Sequence, residues 1–272
     1  MDESYTTILR RNSVKVLPGS GPVMLYAHGF GCNQNMWSRV IPSFMSTHQQ
    51  VLFDYVGSGQ SDLTAFDPAR YSSLDGYAQD IIEVCDALNL KNIVFVGHSV
   101  SCSIGILASI ARPDLFSQMI LVGPTPCFVN HPPEYVGGFE VADLEGLLDL
   151  MDQNYIGWAN YLAPVVSSAG SGQEDAAVTA ELSDSFCSTD PLVARIFARA
   201  TFFSDNRDDL PKVQCPSLIL QHRTDALAPL HIGEYMHSHL ANSTLQILEV
   251  QGHCAHMSDP DLVVSAMRSY LS

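Results

Sequence analysis

Short apolar runs alternate with helix-length stretches over most of this chain, and that rhythm constrains its fold more than any other feature. Residues 7–16 read as a first strand, followed by a turn at Pro18-Gly19-Ser20-Gly21. Residues 23–27 and 51–54 are compact strands, the first stopped by His28-Gly29 and the second by Gly57 and Gly59. Residues 74–88 place apolar side chains at Tyr77, Ile81, Val84, Cys85 and Leu88, the spacing of one helix face. A strand at 93–96, an apolar helix at 100–111 stopped by Pro113, and a strand at 119–122 follow. Such alternation predicts an α/β fold, a mostly parallel sheet with helices on both faces. Right-handed crossovers bring the strand C-terminal ends to one edge, where ligands gather.

The rhythm breaks between residues 126 and 204, where no strand-like run occurs. Four helices are expected there, at 143–154, 155–166, 176–186 and 191–203, with a small-residue loop at 167–172. Strands then return at 217–221 and 244–250, with helices at 232–240 and 260–271. The expected organisation is one core in two parts, 1–125 and 205–272, interrupted by a helical cap at 126–204. A chain of 272 residues buries roughly three quarters of its unfolded surface and needs no metal or disulfide to stay folded.

Hydrophobic residues make up 46% of the chain and charged residues 15%, which excludes a disordered protein. The net charge of −16 repels phosphate backbones and anionic lipid, so neither nucleic acid nor membrane is an expected partner. The seven cysteines are widely spaced and form no C-x-x-C, so neither a disulfide framework nor a zinc site is expected. The opening Met1-Asp2-Glu3-Ser4 does not read as a signal peptide, and no run of 18 apolar residues occurs. A reducing cytoplasm is the expected setting.

The strongest motif is Gly97-His98-Ser99-Val100-Ser101. It lies between an apolar strand and an apolar helix, the setting of the nucleophile elbow of α/β-hydrolase folds. The tight turn demands small residues two before and two after the serine. Gly97 meets this, and Ser101 stands where glycine is usual. Ser99 is therefore the expected nucleophile; Ser101 and Ser103 read as packing residues.

A serine hydroxyl needs a base. Two late histidines compete in Gly252-His253-Cys254-Ala255-His256. His253, directly after a strand end, is the expected base, and His256 reads as a loop or capping residue. Asp225, in the loop after the strand at 217–221, is the expected acid, because no carboxylate follows the previous strand at Gly123-Pro124-Thr125. The oxyanion requires two backbone donors. These are expected to be the N–H groups of Val100 and of Phe30, the latter in the glycine-rich His28-Gly29-Phe30-Gly31. A cap over such a serine makes an enclosed cavity. Phe30, Phe139, Trp158, Phe186 and Phe202 are its expected aromatic lining, which suits a small apolar ester, lactone or enol-ether ligand.

The chain resembles the RsbQ-like α/β-hydrolases of bacterial stress signalling and, more distantly, the plant strigolactone and karrikin receptors. The resemblance rests on His28-Gly29-Phe30-Gly31-Cys32, on Leu52-Phe53-Asp54-Tyr55-Val56-Gly57-Ser58-Gly59 and on the segment from Tyr71 to Asp80. It rests also on Val96-Gly97-His98-Ser99-Val100, on Pro133-Glu134-Tyr135-Val136-Gly137-Gly138-Phe139 and on Gly252-His253. It implies a V-shaped four-helix lid over a hydrophobic cavity, and the same triad and donors. It also implies an alternative to plain ester or butenolide hydrolysis: a ligand sensor with slow turnover that signals to a protein, such as a PAS-domain phosphatase. The Gly/Ser-rich stretch at 167–175 departs from the pattern. A dehalogenase or epoxide hydrolase would carry aspartate at position 99; a C–C bond hydrolase would use the same triad.

Overall fold

The computed structural model describes residues 3–167 and 176–272; the loop expected at 167–172 lies almost wholly outside them. The chain order begins α1 (Glu3–Arg11), β1 (Lys15–Leu17), β2 (Val23–Ala27), β3 (Gln49–Leu52), α2 (Leu74–Ala87), β4 (Ile93–His98), α3 (Val100–Ala111) and β5 (Phe116–Val122). Four helices follow, α4 (Val141–Gln153), α5 (Tyr155–Ser167), α6 (Ala176–Ser188) and α7 (Pro191–Phe202). The chain ends with β6 (Ser217–Thr224), α8 (Leu230–His239), β7 (Ser243–Gln251), α9 (Ala255–Ser258) and α10 (Pro260–Leu271).

The seven strands form one sheet in the order β1-β3-β2-β4-β5-β6-β7. Only β1 runs antiparallel, pairing with β3. From β2 the chain steps to β3 on one side and then to β4 on the other. The loops leaving β2 and β4 therefore diverge side by side, and the crevice between them is where such sheets bind ligands. Apolar side chains from both sheet faces build two separate clusters, with Met24, Val96 and Leu220 in one and Leu25, Phe95 and Ile219 in the other. Alternation along each strand dictates this split. Helices α4–α7 stand between β5 and β6; α5 packs on α4 and α6, and α4 also packs on α7. No helix among the described residues is long and apolar enough to cross a membrane.

Two expectations at the N-terminal half need correction. Residues 7–16 do not form a strand: they hold the end of α1, a break and the start of β1. The β-branched Thr7, Ile8, Val14 and Val16 suggest extended chain. Yet α1 packs on α2, and Ser13 at φ 46° turns the chain between the two elements. The strand expected at 51–54 is β3, ending at Leu52, because Asp54 is committed to loop contacts. Its carboxylate accepts the backbone N–H groups of Gln34 (2.8 Å) and Gln60 (2.9 Å).

Candidate active site

Ser99 occupies the turn from β4 into α3 with φ 56° and ψ −122°. A non-glycine residue in that region costs about 1–3 kcal/mol, a strain held by the packed strand and helix on either side. The turn is tight enough to exclude side chains nearby: a Cβ on Gly97 would lie 2.7 Å from Phe95 Cε1. Ser101 does more than pack. Its hydroxyl donates to the His28 carbonyl oxygen and lies 2.9 Å from the Tyr55 hydroxyl. It thereby ties the elbow to the loop leaving β2. Ser103 Oγ likewise donates to Thr125 O (3.0 Å).

His253 and Asp225 come from the ends of β7 and β6, which run parallel, their register shifting between His222 and Thr224 so that Thr224 pairs with Gln251. The Gly252 N–H donates back to Thr224 O (2.9 Å), so the two following loops leave the sheet together. His253 Nε2 lies 2.8 Å from Ser99 Oγ, and His253 Nδ1 lies 2.6 Å from Asp225 Oδ2. All three side chains are buried. The other carboxylate oxygen accepts the N–H groups of Leu227 (2.8 Å) and Ala228 (3.1 Å). His222 stands 3.5 Å from Asp225 Oδ2 on the other side. Burial alone would raise the Asp225 pKa. The His253 charge and the bonds from His222 and His253 outweigh it and hold the carboxyl well below the usual range.

The His253 backbone is gripped from two sides. Its N–H donates to Val166 O in cap helix α5 (2.8 Å), and its carbonyl oxygen lies 2.9 Å from His98 Nε2. His256 is neither a loop nor a capping residue. It lies buried in α9 with its ring 4.5 Å from Trp37 and 4.4 Å from His98, and neither ring nitrogen has a partner among the described residues.

Val100 opens α3, so its N–H has no carbonyl one turn back to bond. Neither it nor the Phe30 N–H donates to another described residue. Gly29 and Phe30 face the elbow across the crevice; a Cβ on Gly29 would stand 3.6 Å from Ser99 Cβ.

A narrow cavity of about 50 Å³ opens above Ser99. Phe30, Phe139, Phe186 and Phe202 line it, as the sequence led one to expect. Trp158 does not. It stands behind the wall, stacked on Tyr155 (5.6 Å) and edge-on to Phe30 (5.9 Å), one helical turn before Leu162, which with Val166 lines the cavity from α5. Sequence reasoning missed Phe128, Leu144, Leu147, Thr201 and Leu227, and also Cys32 and Cys254, which bring two thiols to the lining. The direct neighbour of His253, Cys254, was legible as a candidate by position alone.

A serine, an imidazole and a buried carboxylate in hydrogen-bonded sequence, at the edge of a parallel sheet and beneath a helical cap, define a hydrolase of the α/β class. The chain belongs to the Alpha/beta hydrolase family, which it matches over residues 24–266. It is 35% identical to the strigolactone esterase D14 of Arabidopsis thaliana, over 98% of this chain and 99% of that one. It is also 35% identical to the karrikin insensitive 2 receptor CA of Petunia hybrida, over 96% and 95% of the two chains. A solved hydrolase from Oleispira antarctica superposes with a TM-score of 0.95 at 46% identity, covering 99% of this chain and 98% of that one.

Proposed function

We propose that the protein hydrolyses a small apolar ester, lactone or enol-ether-linked butenolide through Ser99, His253 and Asp225. The observation that carries this reading is the unbroken path from Ser99 Oγ to His253 Nε2 and from His253 Nδ1 to Asp225 Oδ2. His253 takes the Ser99 proton as Oγ attacks the carbonyl carbon, and Asp225 stabilises the imidazolium that forms. The N–H groups of Phe30 and Val100 receive the negative charge of the tetrahedral oxygen. The same imidazolium protonates the leaving group, and water activated by His253 then releases the acid from Ser99. The apolar, narrow cavity favours a slim, uncharged substrate. Residues 126–204 act as the lid that excludes water. Seven free cysteines suit a reducing cytoplasm.

Ser99→Ala is expected to lower p-nitrophenyl acetate turnover by at least ~10³. Unchanged turnover by the pure, folded variant would overturn the assignment.

The likeness to a karrikin receptor favours a second reading, a ligand sensor with slow hydrolysis and a protein partner such as a PAS-domain phosphatase. A large thermal shift with a strigolactone analogue, accompanied by very slow turnover, would favour the sensor. Fast multiple turnover without capture of that phosphatase would favour the enzyme.

A further inference from the structure

The first and last segments of the cap meet at a point remote from the triad in sequence. Cys127, just beyond β5, pairs by an antiparallel backbone bridge with Asp205, just beyond α7, and Asn206 N–H donates to Pro126 O (2.8 Å). His131 lies in a small loop closed by its own bridge to Tyr135, whose hydroxyl donates to Cys127 O (2.6 Å). These backbone ties converge three side chains. Cys127 Sγ lies 3.7 Å from His131 Nε2, His131 Nε2 lies 3.8 Å from Asp205 Oδ2, and all three donor atoms fall within 4.8 Å of one another.

We propose that Cys127, His131 and Asp205 bind a zinc ion that staples the two ends of the cap together. The donor set is one sulfur, one imidazole nitrogen and one carboxylate oxygen, the mixture that zinc takes. Zinc bond lengths of about 2.0–2.3 Å at tetrahedral angles place donor atoms about 3.3–3.6 Å apart. The Cys127–His131 and His131–Asp205 separations need to shrink by a few tenths of an ångström, and the Cys127–Asp205 separation, within 4.8 Å, by up to about 1.5 Å.

Arg207 donates Nε to Asp205 Oδ1 (2.8 Å) and Nη2 to Oδ2 (2.6 Å), which fixes the carboxylate plane and leaves each oxygen a second lone pair. Cys127 is 2% exposed. Binding breaks the Cys127 S–H bond, forms a zinc–sulfur bond and releases one proton to solvent. The half-exposed His131 and Asp205 give the ion its entry path, and solvent water takes the fourth position.

The sequence expectation of no zinc site rested on the absence of cysteine pairs. This site uses one cysteine, a histidine four residues on, and an aspartate delivered only when the cap returns to the core.

The test is zinc titration of tag-free protein in competition with a chromophoric chelator, with cobalt(II) as a spectroscopic substitute. One equivalent is expected to bind, with a thiolate-to-cobalt charge-transfer band and a rise in Tm of the zinc-loaded protein. Cys127→Ser should abolish the band, and His131→Ala should weaken zinc binding at least about tenfold. His131 is 42% exposed, so its truncation leaves the core intact, and the metal-free Tm of each variant checks this. Failure of the wild type to take up stoichiometric zinc would overturn the proposal. So would uptake that both variants retain, which would place the ion on other thiols or histidines.

Discussion

The His98 ring, projecting from the end of β4, holds the backbone carbonyl of His253 at 2.9 Å through Nε2. A carbonyl only accepts, so Nε2 carries the proton and Nδ1 is the bare nitrogen. Nδ1 is buried without a partner among the described residues, which makes this a one-purpose side chain. His98 thus acts as a positioning residue for the imidazole beside Ser99.

His98→Ala should leave that carbonyl unsatisfied and let the His253 loop drift. A misplacement of about 1 Å can cost on the order of 10²-fold in rate. The expected outcome is a fall in kcat of ~10–10² with KM changed far less, measured with p-nitrophenyl acetate. An equal loss confined to KM would show that His98 serves the cavity wall instead.

Acid sensitivity follows from the buried histidines. His98 and His256 face one another at 4.4 Å, with His253, His222 and Arg39 as further neighbours. Burial, then the facing imidazoles, pushes both well below the ordinary value of 6.5. Below that value the unfolded chain binds protons that the native protein refuses, so stability falls as pH falls. Each such histidine contributes up to about 1.4 kcal/mol per pH unit. Asp225 acts in a different window. Its depressed carboxyl stabilises the fold above its ordinary 3.8, and that contribution is lost only as pH drops through the lower folded value. His256→Phe keeps a ring against Trp37 and removes one linked proton. Urea unfolding should show an acid loss between pH 6.5 and 5 that is smaller by about 2 kcal/mol than in the wild type. An unchanged pH slope would refute the assignment to His256.

Gly31 couples the loop after β2 to the cap. It sits at φ 69°, and a Cβ there would lie 2.4 Å from Phe186 Cδ1 on α6. Its carbonyl oxygen also accepts the Ser185 hydroxyl (2.8 Å). Gly31→Ala should cost about 1–3 kcal/mol through the left-handed backbone and the displaced ring, and should change KM because Phe186 lines the cavity. Gly146 in α4 is the control, since a Cβ there meets nothing within 4 Å. Gly146→Ala should stabilise by about 0.5–1 kcal/mol. Equal Tm shifts of the same sign in both variants would contradict this.

What the chain disclosed in advance follows physical lines. Helix and strand periods are local, so nearly every core element was legible. That Ser99, Asp225 and His253 would meet was legible because strand ends on a parallel sheet share an edge. The first element was misread because α1 owes its helix to packing on α2, which no local pattern shows. Trp158 was misplaced by position along α5: it shares a face with Leu162 but stands one turn before it, short of the cavity that Leu162 and Val166 line. Ser101 was underestimated because its partners, His28 and Tyr55, are distant in the chain. The cluster of Cys127, His131 and Asp205 was invisible for the same reason: the cap must close before its ends meet.

The stretch from Tyr71 to Asp80, one of the segments that carried the family resemblance, owes its chemistry to stability. Asp80 in α2 is fully buried, and its Oδ1 accepts from Arg11 (3.2 Å), Arg70 (2.8 Å) and the Tyr71 hydroxyl (2.9 Å). Oδ2 accepts from Asn12 Nδ2 (3.2 Å) and the Val56 N–H (3.1 Å). One carboxylate thus joins α1, the loop after β3 and α2. Asp80→Ala leaves the Asn12 amide, the Val56 N–H and the Tyr71 hydroxyl without that acceptor, although Arg11 and Arg70 keep Glu83 at 2.6 and 3.0 Å. Removing one member of a buried ionic network costs about 3–5 kcal/mol. Asp80→Asn keeps two acceptor lone pairs and the shape, and should cost less. None of these bonds reaches Ser99, His253 or Asp225, so kcat per folded molecule should stay within about twofold of the wild type for both variants. Urea denaturation and active-site titration separate the two effects. A folded Asp80→Asn protein with a hundredfold lower kcat would place this network in the catalytic machinery after all.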